Sequence, residues 1–414
     1  MKGAQLFRSL VLERQRVVMR MLSARMSSLQ ENKLFTPGPL NTTPTVKSAM
    51  MRDLGSRDTE FLEVVAYIRR QLLKLASVSC VCVSCVKCAR VRVCYENPLY
   101  LNCLHIHNDN ASADEFTAIP LQGSGTYSVE SVLQSTVPRT SDSRVLVLSG
   151  GAYGERIAKI CSYLSINHDV LTNPADTAVD LEKLKGQLSS APYTNVCVVH
   201  CETTSGVVNP VENIGSLVKQ ILPDCTYFID AMSSFGAVKL NLNTCHADFL
   251  VSSANKCIQG VPGFGFVLAR TSKLLQCKDN SRSLSLDLYE QYANLEKSGM
   301  FRFTPPTHTM LAFKQALVEL EDEGGVDKRA ERYKQNNKLL SEGMRDLGFE
   351  QVVKSKDAGY IITSFRYPSP SFDFDLFYDK LKAKAFYCRP SSVPWKDDQQ
   401  RYIPYREYWR YPRS

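Results

Sequence analysis

The stretch TYFIDAMSSFGAVKLNLNTCHADFLVSSANK, residues 226–256, decides the fold. It holds two short apolar runs, Tyr227-Phe228-Ile229 and Phe249-Leu250-Val251, with no polar alternation inside either. Such runs are expected of strands covered on both faces, as in a parallel sheet flanked by helices. The first run ends on Asp230; the second leads through Ser252-Ser253-Ala254-Asn255 to Lys256. A carboxylate and a lysine then stand where parallel strands finish, which is where open α/β sheets form their ligand crevice. Each residue also has a plainer reading. Asp230 suits a helix N-cap before Ala231-Met232-Ser233, and Lys256 suits a solvated loop.

Outward from this stretch the alternation continues. Runs at 144–148, 195–200 and 265–268 read as further strands, and amphipathic patterns at 61–76, 127–134, 154–164, 180–189 and 211–221 read as helices between them. After about residue 280 the order changes. Helices are expected over 309–323 and 328–347, a strand over 360–366 and a helix over 373–384. The fold class is therefore α/β: a large, mostly parallel-sheet domain over 34–295 and a smaller C-terminal α+β domain over 296–386.

Two more loops belong with Asp230 and Lys256. Gln122-Gly123-Ser124-Gly125-Thr126 opens a helix, and helix N-terminal N–H groups bind anions. His200-Cys201-Glu202-Thr203-Thr204-Ser205-Gly206 is a polar loop closing a buried strand. A glycine turn before a helix is commonly structural. In combination, a phosphate cradle, a carboxylate and a lysine on successive strands suit pyridoxal phosphate. That cofactor needs a Schiff-base lysine and an acidic partner for its pyridinium nitrogen.

The same residues carry a family resemblance. Leu34-Phe35-Thr36-Pro37-Gly38-Pro39, 122–126, Gly151-Ala152-Tyr153-Gly154, 202–206, 228–235, 253–257 and Phe303-Thr304-Pro305-Pro306-Thr307-His308-Thr309 resemble, in order, the class V aminotransferases of fold type I. The resemblance runs from about residue 34 to 386, omitting 80–111. It implies that Lys256 holds the cofactor covalently and shuttles the substrate proton, and that Asp230 keeps the pyridine nitrogen protonated. It implies further that Tyr153 stacks on the ring, that Ser124, Gly125 and Thr126 hold the phosphate, and that Thr204 bonds the ring oxygen. Thr304 or Thr307 would reach the phosphate of a neighbouring subunit in a homodimer. A core tyrosine at 153 and a Pro-rich interdomain turn at 303–309 are the alternatives. The implied reaction moves the amino group of 2-aminoethylphosphonate to pyruvate, giving phosphonoacetaldehyde and L-alanine. Within the same family an alanine–glyoxylate or serine–pyruvate type enzyme is the competing reading.

Charge and cysteine are unevenly spread. The net charge is +8. Residues 1–30 carry +5, residues 80–111 carry +1 and residues 389–414 carry +3, which leaves the rest at −1. A nucleic-acid partner would need a basic face on that nearly neutral body, so none is expected. No apolar run approaches a membrane span. Residues 1–33, rich in arginine and poor in acids, fit a mitochondrial transit peptide; a frayed basic helix on a cytoplasmic protein is the alternative.

Six of the 14 cysteines lie in 80–111. Cys82, Cys85 and Cys88 have metal-like spacing, with His105 and His107 downstream, but the ligand pattern is incomplete. No metal site is assigned. The alternating Val-Cys-Val and Val-Arg-Val is what a repeated GT dinucleotide encodes, so the segment reads as translated intron. The remaining cysteines are scattered, as in a reducing compartment. The tail over 387–414 lacks the family's closing Phe-Arg-Ile-Gly, whose arginine binds the substrate carboxylate. Back-translated from Pro394-Trp395-Lys396 to Trp409-Arg410 and read one nucleotide later, it permits that ending. A frame-shifted tail, and with it a catalytically impaired product, is the expectation.

Overall fold

The computed structural model describes residues 32–77, 116–384, 386–388 and 402–406. The expected targeting segment, apart from its last two residues, and the whole Cys-rich insertion lie outside the described residues. So does most of the expected frame-shifted tail.

The chain begins with a short strand β1 (Lys33–Phe35), a single turn α1 (Pro44–Ser48) and a long helix α2 (Thr59–Leu75). Phe61, Val64, Val65, Ile68, Leu72 and Leu73 recur every three to four residues along α2 and are buried, giving it one apolar face. Strand and helix then alternate: β2 (Phe116–Gly123), α3 (Gly125–Thr136), β3 (Val145–Ser149), α4 (Ala152–Tyr163), β4 (His168–Thr172), α5 (Leu181–Ser190), β5 (Asn195–Val199), α6 (Val211–Ile221) and β6 (Thr226–Asp230). Asp180 caps α5 by accepting from the N–H groups of Glu182 and Lys183. Two strands follow directly, β7 (Phe249–Ser253) and β8 (Gly263–Arg270).

These strands form one seven-stranded sheet in the order β2-β8-β7-β6-β5-β3-β4. From β4 to β7 every pairing is parallel, and β8 runs antiparallel to both its neighbours. The central strands β3, β5 and β7 are buried along their whole length, which is why their sequences are continuous apolar runs. The strand β4 is half-exposed at the sheet edge.

Four helices come next: α7 (Thr271–Leu275), α8 (Leu288–Ser298), α9 (Thr307–Asp322) and α10 (Gly325–Asp346). In α9, Met310, Phe313, Leu317 and Leu320 share a face and join the core of the large sheet; Phe313 meets Phe264 edge-on at 4.9 Å. The large hydrophobic core therefore continues past residue 296. A separate cluster of Met344, Phe349, Phe365 and Phe374 lies beyond it. It is built from α10, β9 (Ile362–Arg366) and α11 (Phe374–Lys382). Phe35 packs against this cluster, because β1 pairs in parallel with β10 (Phe386–Cys388). In the tail, β11 (Tyr402–Arg406) pairs antiparallel with β9.

One ionic clasp ties α10 to the large sheet. Arg329 is fully buried. It donates to Glu323 from Nε and Nη2 at 3.0 and 2.8 Å, and from Nη1 to the carbonyls of Cys257 and Ile258 at 2.8 and 3.2 Å. Arg332 donates to the same carboxylate at 2.7 and 3.1 Å.

Candidate active site

Because β2, β3, β5, β6 and β7 all point the same way, their carboxyl ends meet on one edge of the sheet. The loops leaving that edge carry Ser124, Tyr153, Thr204, Asp230 and Lys256. Strand direction, not sequence proximity, brings these residues together.

Lys256 lies in the turn after β7, and its Nζ donates to the carbonyl of Pro37 at 3.0 Å. The neighbouring Gly38 has φ +137° and presses on the lysine; a Cβ there would lie 2.5 Å from Nζ. Any side chain at 38 would therefore meet both backbone strain and the lysine head. The turn is closed by Gln259 N–H donating to the Lys256 carbonyl at 2.8 Å, and Arg329 grips the next two carbonyls from behind.

Asp230 is buried at 3% exposure. The cap-type bond offered as its alternative is present: Met232 N–H donates to Oδ1 at 2.9 Å. No helix follows, however; residues 232–234 form a turn. Burial pushes the carboxyl up to about 6, with the charge of Glu202 adding to the rise and the Met232 N–H, Arg156 and Lys256 opposing it.

Glu202 lies in the polar loop that follows β5. It is 1% exposed. Its Oε1 lies 2.8 Å from Thr204 Oγ1 and 3.3 Å from Thr204 N. Burial raises its pKa; the Thr204 bonds and the nearby N–H groups of Tyr153 and Gly154 at the start of α4 draw it back. Oε2 nevertheless has no hydrogen bond of good geometry. Gly151 lets α4 approach this pair. A Cβ at 151 would lie 2.5 Å from Thr204 Oγ1 and 2.6 Å from Glu202 Cδ. Tyr153 is half-buried, with the Arg156 guanidinium 4.7 Å from its ring centre. Behind them, Thr203 and Ser233 share a 2.6 Å hydrogen bond. His200 pairs with Ser234 at 2.8 Å, and burial lowers its pKa to about 4.

Ser124 stands at the N-cap of α3 with extended backbone and makes no side-chain cap bond. Gly125 is packed under Met232, whose Sδ would lie 2.3 Å from an added Cβ. Thr126 is half-buried beside it. Thr304 and Thr307 are placed differently. Gln122 Nε2 donates to the carbonyls of Phe303 and Thr304 at 2.9 and 3.0 Å, which moors their loop beside the cradle. Yet the Thr304 side chain faces outward, and Thr307 opens α9 with its hydroxyl 3.5 Å from His308 Nδ1. Neither hydroxyl bonds to the rest of the cluster among the described residues.

The donor set fits pyridoxal phosphate. A lysine amine held against a glycine, a buried acid for a protonated ring nitrogen, and a helix N-terminus left uncapped by its own serine match the cofactor's three demands.

Comparison with known proteins agrees. The profile of the family described as Aminotransferase class-V matches residues 117–373. The 2-aminoethylphosphonate–pyruvate transaminase of Phocaeicola vulgatus is 43% identical over 367 residues, covering 88% of this chain and 91% of that one. The enzyme of the same name from Syntrophobacter fumaroxidans is 43% identical over 363 residues, covering 87% and 88%. Among solved structures, the pyridoxamine–pyruvate aminotransferase of Mesorhizobium loti shares the fold. Its TM-score is 0.74 at 20% identity, over 92% of this chain and 87% of that one. With a family profile across the sheet and such identity along most of both chains, the chain belongs to the class-V aminotransferases, which carry pyridoxal phosphate.

Proposed function

We propose that this chain transfers the amino group of 2-aminoethylphosphonate to pyruvate, giving phosphonoacetaldehyde and L-alanine. The observation that carries this reading is the 43% identity to transaminases named for that substrate pair. The bound cofactor supplies an electron sink and carries the amino group between the two substrates. The chain's own residues do the rest. Lys256 Nζ anchors the cofactor and, once released, moves the proton at the substrate carbon. Asp230 holds the proton on the ring nitrogen; an ionised partner there offsets the burial that otherwise keeps the carboxyl near 6. Ser124, Gly125 and Thr126 bind the phosphate with the N–H groups of α3. Tyr153 covers one ring face, and Thr204 bonds the ring oxygen. Thr304 or Thr307, neither hydroxyl bonded to its own cluster among the described residues, serves the phosphate of a partner subunit in a homodimer.

The tail makes weak turnover part of the proposal, since no segment in it matches the family's closing arginine motif. Cofactor binding should persist, because its residues lie upstream. The test is to reconstitute the purified chain with pyridoxal phosphate and follow alanine formation from 2-aminoethylphosphonate and pyruvate. Parallel reactions offer alanine or serine with glyoxylate. Alanine formation with the phosphonate donor, slow but above the other donors, supports the reading. Faster turnover of alanine or serine with glyoxylate would replace it with the competing member of the family.

A further inference from the structure

Thr204 sits between two acceptors. On one side is Glu202 Oε1, 2.8 Å from its hydroxyl. On the other, in the reading above, is the ring oxygen of the cofactor, which is anionic and accepts only. A hydroxyl has one hydrogen to give. If Glu202 is ionised, Thr204 must spend that hydrogen on the carboxylate and present a lone pair to the ring oxygen. The surroundings favour the other arrangement. Glu202 is buried, its Oε2 lacks a partner of good geometry, and no cation is bonded to it among the described residues; the N–H groups of Thr204, Tyr153 and Gly154 act the other way. Asp230 at the end of β6 faces it as a second buried acid; the charges of Arg156 on α4 and Lys256 after β7 act on Asp230. A third negative charge, the ring oxygen, disfavours the ionised form of Glu202 further.

We propose that Glu202 is a positioning residue: in its neutral form it donates to Thr204 Oγ1, which frees the Thr204 hydrogen for the cofactor's ring oxygen. The inference rests on the placement of Thr204 beside that oxygen. The close approach of Gly151 fixes the geometry, since nothing larger fits against Thr204 Oγ1 and Glu202 Cδ at 2.5 and 2.6 Å from its Cβ position. A donor to the ring oxygen stabilises the state that has lost the proton shared with Lys256 Nζ. Removing the donor therefore moves the pH midpoint of the bound cofactor's visible absorption upward.

The test titrates that absorption in the full-length protein loaded with pyridoxal phosphate. Glu202→Gln keeps a donor of the same shape and should leave the midpoint within a few tenths of a unit. Thr204→Val should raise it by about 1 unit, the worth of one hydrogen bond to an ionised group, and Glu202→Met, which leaves the Thr204 hydrogen unclaimed, should raise it by less. The double variant should move it no further than Thr204→Val alone. A Glu202→Gln midpoint displaced by about 1 unit overturns the proposal, because charge and not donation would then matter; so do additive shifts in the double variant. If Glu202→Met does not fold, Glu202→Gln decides alone. A midpoint unmoved by Thr204→Val, with the absorption itself intact, sinks the placement of Thr204. Absorption that does not depend on Lys256 sinks the reading of the whole site.

Discussion

Two buried acidic clusters flank the turn that carries Lys256, and their carboxyls titrate in opposite directions. In front, Asp230 is pushed up to about 6 by burial, and Glu202 is raised for the same reason. Behind, Glu323 also suffers burial, but Arg332 and Arg329 outweigh it and hold the carboxyl below its ordinary range. The rear carboxylate has its counter-charges in the folded chain: two guanidiniums meet it, and Arg329 also donates to the carbonyls of Cys257 and Ile258. The front carboxyls have no cation bonded to them among the described residues, and burial dominates their titration. A buried acid with its cation in place holds structure; one without it is poised for binding.

That contrast can be broken from the front most strongly. Lys256→Ala should abolish the Lys256-dependent visible absorption of bound pyridoxal phosphate. It should lower any measured transamination by ~10²–10⁴-fold, the range for loss of a general acid–base group, while leaving the denaturant midpoint nearly unchanged. From the rear, Arg329→Met should cost about 1–3 kcal/mol of stability, read by chemical denaturation, because it leaves the buried carbonyls of Cys257 and Ile258 unpaired while Arg332 still holds Glu323.

A subtler test uses pH on the cofactor-free protein. Asp230 has a folded pKa raised from 3.8 to about 6, so its contribution is present at low pH and is lost as pH rises between those values. His200 has a folded pKa lowered from 6.5 to about 4, so its contribution is present above 6.5 and is lost as pH falls toward 4. The two nearly cancel between pH 4 and 6. Asp230→Asn should therefore steepen the loss of stability on acidification, and His200→Gln should reverse its slope. Each effect is on the order of 3 kcal/mol at most. Identical pH profiles for all three proteins would remove the electrostatic contrast. The smallest effect is expected at the rim: Arg156→Ala forfeits the contact with the Tyr153 ring, worth about 0.5–1 kcal/mol, visible as a slight shift of the denaturant midpoint.

Much of this was legible beforehand. The strands β3, β5, β6 and β7 announced themselves as apolar runs, since both faces of each are covered. The strand β4, His-Asp-Val-Leu-Thr, did not: it lies half-exposed at the sheet edge, and only pairing with β3 makes it a strand. The sequence pattern of α9 reads as a helix of the smaller domain. Its apolar face fits either side, and contact with Phe264 and the large sheet settles where it packs. At the site, Asp230 and Lys256 stood out because they end buried strands. Glu202 did not, because an acid inside Cys-Glu-Thr-Thr-Ser looks like loop polarity until its burial is known. Arg329 gave no signal at all, since an arginine in a charged helical stretch is ordinarily solvated.

By itself, then, the sequence determined the elements, their order and the chemistry available at the strand ends, because local apolar runs, glycine turns and polar loop residues report directly on backbone and burial. Only the tertiary structure decided which of those groups share one low-dielectric space. Burial and counter-charge depend on neighbours far away in the chain: Pro37 against Lys256, Gly151 against Glu202, Arg329 against Cys257. Those neighbours separate the acid that is finished by its own fold from the acids left open to a ligand.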